Sequence, residues 1–137
     1  MNMVKSSIFT VACLFAAGVS ADNLSRDQYK QESDRIKAEY NTARDRCGSM
    51  SGNAKDVCIE QAKGKEKVAR AELDYKQDAS ERHRSKVVQA KADAQYAVAK
   101  EKCDELSGDQ KDVCVKDAKA AKARADADTK SAARPGN

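Results

Sequence analysis

The 137-residue sequence contains no tryptophan, one proline and one histidine, and its two phenylalanines, Phe9 and Phe15, both lie near the start. Beyond them the large apolar side chains are few, mostly Val, with four Tyr. Such a chain lacks the means to build the compact core usual for its length, so it must be elongated, partly disordered or held by covalent staples. Alternating runs of β-branched and aromatic residues are also missing, which argues against a sheet. The apolar run from Ile8 to Ala17 falls well short of the ~20 residues that span a bilayer.

That run belongs to a segment with the marks of a secretory signal peptide. Lys5 precedes it, and the small residues of Val19-Ser20-Ala21 follow, so cleavage is expected after Ala21. Cys13 follows Thr10-Val11-Ala12 instead of a Leu-led lipobox and is assigned to the discarded segment. No integral membrane segment is expected after cleavage. Losing Lys5 lowers the formal charge from +4 to +3, and the two signs are interleaved along the remainder.

In quantity the chain has helix formers and a repeat. Ala, Lys, Glu, Gln and Arg fill long unbroken stretches. Tyr40 to Lys63 reads YNTARDRCGSMSGNAKDVCIEQAK, and Tyr96 to Lys119 reads YAVAKEKCDELSGDQKDVCVKDAK, so one unit with a Cys-x10-Cys pair is used twice. Tyr29, Ser33, Ile36, Tyr40, Ala43 and Cys47 draw one narrow seam at helical spacing, echoed by Ala92, Tyr96, Ala99 and Cys103. The seam resumes as Cys58, Ala62, Ala69 and Leu73, and as Cys114, Ala118, Ala121 and Ala125.

Between the cysteines, Ser51-Gly52-Asn53 and Ser107-Gly108-Asp109 read as a stop and restart, Gly closing one helix and a polar residue capping the next. Ser107 to Gln110 fits a capping box, and Asn53 is the expected cap in the first copy. Asp56 and Asp112 are expected in the first turn of the outgoing helices. Each unit is then an αα-hairpin with its two cysteines on the seam at the corner, within disulfide range.

The expected bridges are therefore Cys47–Cys58 and Cys103–Cys114. The rival is a continuous helix through each pair, with bridges crossing between copies. The expected fold is all-α: two repeated disulfide-stapled αα-hairpins over residues 22–77 and 78–130, elongated, with a frayed tail at 131–137. Gln61 to Lys102 holds no Pro and only Gly64, which allows one long central helix shared by the hairpins, whereas Asp78-Ala79-Ser80-Glu81 offers a competing cap.

Function classes narrow by the same reading. Structural zinc sites pair cysteines two to four residues apart, and none are so placed; His83 is remote in sequence from both pairs. A thiol–disulfide oxidoreductase would place Cys-x-x-Cys at a helix start. With no phosphate loop and no nucleophile elbow either, no catalytic residue, metal site or cofactor is assigned. Interleaved acids and the lack of aromatics in basic surroundings argue against nucleic acid. Asn23-Leu24-Ser25 matches a glycosylation sequon and is taken as a chance match.

The words Cys47-x3-Ser51-Gly52-x2-Lys55-Asp56-Val57-Cys58 and Cys103-x3-Ser107-Gly108-x2-Lys111-Asp112-Val113-Cys114 resemble those of a group of small, uncharacterised bacterial exported proteins with twin KDVC repeats, some labelled TolA-like for their Ala/Lys-rich helices. The resemblance covers most of residues 29–130 and implies a Gram-negative periplasmic location. TolA itself implies a membrane anchor and a folded C-terminal domain, which are not expected here. The expected function is a non-enzymatic helical structural or protein-interaction module of the cell envelope, its partner an unknown envelope protein or a second copy. The alternative is a redox-responsive or metal-handling cysteine protein.

Overall fold

The computed structural model describes residues 23–132. The expected signal peptide with Cys13 lies outside them, as does most of the expected tail. Four helices follow one another: α1 (Arg26–Cys47), α2 (Gly52–Gln77), α3 (Glu81–Cys103) and α4 (Gly108–Ala132). Ser131 and Ala132 thus still belong to the last helix, where the Ser131 hydroxyl donates to the Ala127 carbonyl at 3.0 Å.

Helix α1 starts at a full capping box. The Ser25 hydroxyl accepts from the Gln28 N–H at 3.2 Å, while the Gln28 side chain accepts from the Ser25 N–H at 2.9 Å. Arg35 reaches back to Glu32 and forward to Glu39, each at 2.6 Å, and such exposed pairs add a few tenths of a kcal/mol apiece. The helix closes at Cys47 with Gly48 in the right-handed conformation.

The corners depart from the expected order of stop and cap. Gly52 and Gly108 open the outgoing helices instead of closing the incoming ones, with φ of +57° and +55°. A Cβ at either would meet nothing within 4 Å, so the backbone reversal alone calls for glycine there. Ser51 makes no side-chain capping bond, and the Asn53 amide nitrogen is buried without a partner. Because α2 begins at Gly52, Asp56 falls past its first turn; in α4 that place goes to Asp109, not Asp112.

Between α2 and α3 the chain breaks at Asp78–Ser80, so the long central helix does not form. The Ser80 hydroxyl accepts from the His83 N–H at 3.4 Å, the competing cap, and the imidazole Nδ1 lies 3.0 Å from the Asp78 carboxylate. Helix α2 therefore folds back along α3.

Each helix packs only on its neighbours in sequence. Among the described residues, no packing joins α1 to α3 or α4, or α2 to α4. The result is an open, single layer of four antiparallel helices instead of a closed bundle. Both disulfide corners lie at one end of the layer and the Asp78–Ser80 corner at the other.

The seams read from the sequence face inward. Ile36, Cys47, Ala62, Leu73, Ala92, Cys103 and Ala118 are buried, and of the seam positions only Ala121 is exposed. The repeat extends to the packing itself. A gap of about 80 Å³ between α1 and α2 is lined by Ile36, Tyr40, Ala43, Ala62 and Ala69, among others. The gap of about 110 Å³ between α3 and α4 is lined by their counterparts 56 residues on, Ala92, Tyr96, Ala99, Ala118 and Ala125. The exchange of Ile36 for Ala92 is consistent with the larger second gap.

A second seam, between α2 and α3, was not anticipated. It buries Gly64 and Ala90, and a Cβ on Gly64 would stand 2.8 Å from the Ala94 Cβ. Since Ala94 has no flexible end to move aside, an added methyl must push the helices apart. Gly64→Ala is expected to lower stability by about 1–2 kcal/mol even though Ala is worth about 1 kcal/mol over Gly in a helix interior. Adding Ala94→Gly should recover part of the loss, as urea denaturation of the single and double variants would show.

Candidate functional site

The four cysteines singled out from the sequence pair as expected, within each hairpin. Cys47–Cys58 and Cys103–Cys114 each span 5.7 Å between Cα atoms. Cys47 and Cys103 end α1 and α3 and are fully buried, while Cys58 and Cys114 sit in the second turn of α2 and α4 and are half-buried. Both fall that far into their helices because Gly52 and Gly108 already belong to them. In that second turn the helix N-terminal field has largely faded.

His83, remote from both bridges in sequence, serves the opposite corner. Its Nδ1 lies 3.2 Å from the Ser80 hydroxyl as well as 3.0 Å from Asp78. Serine and carboxylate meet the same ring nitrogen, so this trio has no geometry for a proton relay; it closes a turn. No group of three or more His, Cys, Asp or Glu suited to a metal ion occurs among the described residues.

The first hairpin has an added clasp at its open end, where the Tyr29 hydroxyl donates to Asp74 at 2.7 Å. That bond, with burial, pushes the Tyr29 phenol above its ordinary value. In the second hairpin Ser85 and Lys130 occupy the equivalent positions, and Thr129 replaces Leu73. The second hairpin therefore depends more on its bridge. Replacing Cys103 and Cys114 by Ala should speed amide exchange along α4 more than replacing Cys47 and Cys58 speeds it along α1, as measured by mass spectrometry.

The two faces of the layer differ. On one, Asp93 of α3 joins three helices, accepting from Lys67 of α2 at 2.6 Å and lying 3.0 Å from Lys122 of α4, which also holds Asp126 at 2.6 Å. The Lys67 hydrogen bond first, and Lys122 after it, hold the Asp93 carboxyl below its ordinary value. A carboxyl so depressed stabilises the fold above the unfolded-chain value near 4 and loses that contribution as pH falls through the folded value. Asp93→Asn should cost about 1 kcal/mol at neutral pH, with the difference from the parent shrinking below about pH 4 in pH-dependent thermal melts.

The other face carries two open troughs. One, of about 660 Å³, runs between α2 and α3 over Gly64, Val68, Ala69, Ala94, Val98 and Ala99. The second, of about 810 Å³, runs between α3 and α4 over Ala99, Cys103, Leu106, Val113 and Cys114. They meet at Ala99. Leu106 is 39% and Val113 56% exposed, so the apolar surface is open to water. The sequence hints at this only through Val113 in the repeated KDVC word.

Comparison with protein-family models, with curated proteins and with solved structures finds no match to this chain. What the arrangement offers chemically is a covalently stapled, concave apolar surface with charged rims, suited to holding another surface.

Proposed function

We propose that the protein is an exported, non-enzymatic helical module of the bacterial cell envelope that acts through protein contacts in the periplasm. The observation that carries this reading is the two-sidedness of the open layer: the Lys67–Asp93–Lys122 ion pairs lie across one face, and the other carries the apolar troughs, with the Lys91–Glu72 pair on their rim. Large exposed apolar patches on small proteins mark interaction sites. Support for export comes from the signal-like residues 1–21, from paired cysteines suited to an oxidising compartment, and from the resemblance of the twin KDVC words to small periplasmic proteins. Among the described residues no helix is long and apolar enough to cross a membrane.

A redox-responsive or metal-handling protein is the second reading. The half-buried Cys58 and Cys114 favour its redox form, since an attacking thiolate reaches the accessible sulfur first. Expressed whole in a Gram-negative host, the chain is expected in the periplasmic fraction, beginning at Asp22, with no thiol open to alkylation and with Cys47–Cys58 and Cys103–Cys114 peptides in a non-reducing digest. An uncleaved chain with free thiols would overturn the proposal. Bridges that open and re-form as the growth conditions become reducing and oxidising would favour the second reading.

A further inference from the structure

The two troughs lie side by side on one face and carry opposite charge. Lys65, Lys91 and Lys102 rim the α2–α3 trough against the single carboxylate of Glu72. Asp109 and Asp117 rim the α3–α4 trough, and no lysine lines it. Steps of four, three and four place Lys91, Gln95, Val98 and Lys102 on one side of α3, and Asp93 with its lysine partners lies on the other.

Helical domains ordinarily hide their apolar stripes between two packed layers. Here a single layer leaves Val68, Val98, Leu106 and Val113 on a surface that nothing among the described residues covers. We propose that a second copy of the chain supplies the missing layer. The pair is a two-fold dimer in which the basic trough of each copy covers the acidic trough of the other. The inference rests on the protein being an interaction module and names its partner.

Charge selects a second copy over an unrelated helix. A half-turn about an axis parallel to the helices and lying over α3 exchanges the two troughs, so Lys65 and Lys102 of each copy come up against the acidic rim of the other in an isologous contact, while Lys91 keeps its own partner Glu72 at 2.8 Å. Such a rotation preserves height along the layer. Cys103 is bridged to Cys114, so Lys102 and Asp117 stand at nearly the same height and face each other across the dimer. The troughs run over Lys91–Leu106, about 20 Å, and across three helix positions about 9 Å apart, so they present on the order of 400 Å² per copy, half of a standard interface and suited to a reversible dimer.

The test is sedimentation equilibrium of the oxidised, signal-free protein over a range of concentrations from about 1 to 300 μM, with far-UV circular dichroism to verify folding. A monomer–dimer equilibrium that weakens with added salt is expected. Lys102→Glu and Asp117→Lys should each weaken it at least tenfold, and the two together should restore most of the affinity. Lys63→Glu, at a lysine that pairs with Glu60 of its own helix, should leave it unchanged. Val98→Glu should abolish dimerisation. A protein that is monomeric throughout, or a dimer indifferent to the Lys102 and Asp117 reversals, would overturn the inference. Either result in a chain that is still cleaved after Ala21 and fully bridged leaves the export reading standing, whereas free thiols and an intact leader would sink that reading instead.

Discussion

Closure of the α1–α2 and α3–α4 corners by disulfides is the constraint on which the rest of this molecule depends. The seams it holds are made of Ala62, Ala92, Ala118 and similar small residues, with Ile36 and Leu73 the only large aliphatic side chains buried among the described residues. A buried methyl contributes about 0.8 kcal/mol, so such seams fall short of the entropy of ordering long helices. Each bridge closes a loop of about a dozen residues, worth roughly 3 kcal/mol in the chain-entropy model. Two of them match a large part of the 5–15 kcal/mol by which domains are usually stable. Small residues in turn let the helices approach closely, as where Gly64 meets Ala94.

The duplicated unit has been put to unequal use. Tyr40 and Tyr96 line equivalent gaps, and the two corners share the same glycine conformation and bridge span. Yet Glu66–Arg70 in the first copy becomes Lys122–Asp126 in the second, with the charges reversed. The reversal brings Lys122 against Asp93 and links α4 to the centre of the layer. The first copy relies on Ile36, Leu73 and the Tyr29–Asp74 bond, the second on its bridge and this charged hub.

What was legible beforehand was local or repeated. The helices, the hairpin bridges and the seam through Ile36, Ala92 and the cysteines followed from spacing, because i, i+3 and i+4 periodicity and a twelve-residue corner are properties of short segments. The break at Asp78–Ser80 was balanced against a through-helix; Ser80 capping His83 decides it together with the packing of α2 on α3, which short segments do not encode. The second seam is illegible for the same reason: Gly64 reads only as the one glycine in a stretch without proline, and Ala94, which calls for it, lies on another helix. The Ser25–Gln28 capping box was readable, but Ser25 had been considered only as part of a sequon. The apolar face was invisible because Val68, Val98, Leu106 and Val113 come from different helices and corners.

Having an even number of antiparallel helices gives the molecule a polarity. Ser25 and Lys130 share one pole with the His83 turn, and both covalent corners occupy the opposite one. Tension applied through the two ends of the helical array would peel each hairpin apart from its unlinked pole and halt at a sulfur–sulfur bond. The dozen residues at each tip would then stay folded over after the rest had straightened. Stretched between those ends, the chain thus has two built-in stops, and its maximum reach is shorter than its residue count alone would set.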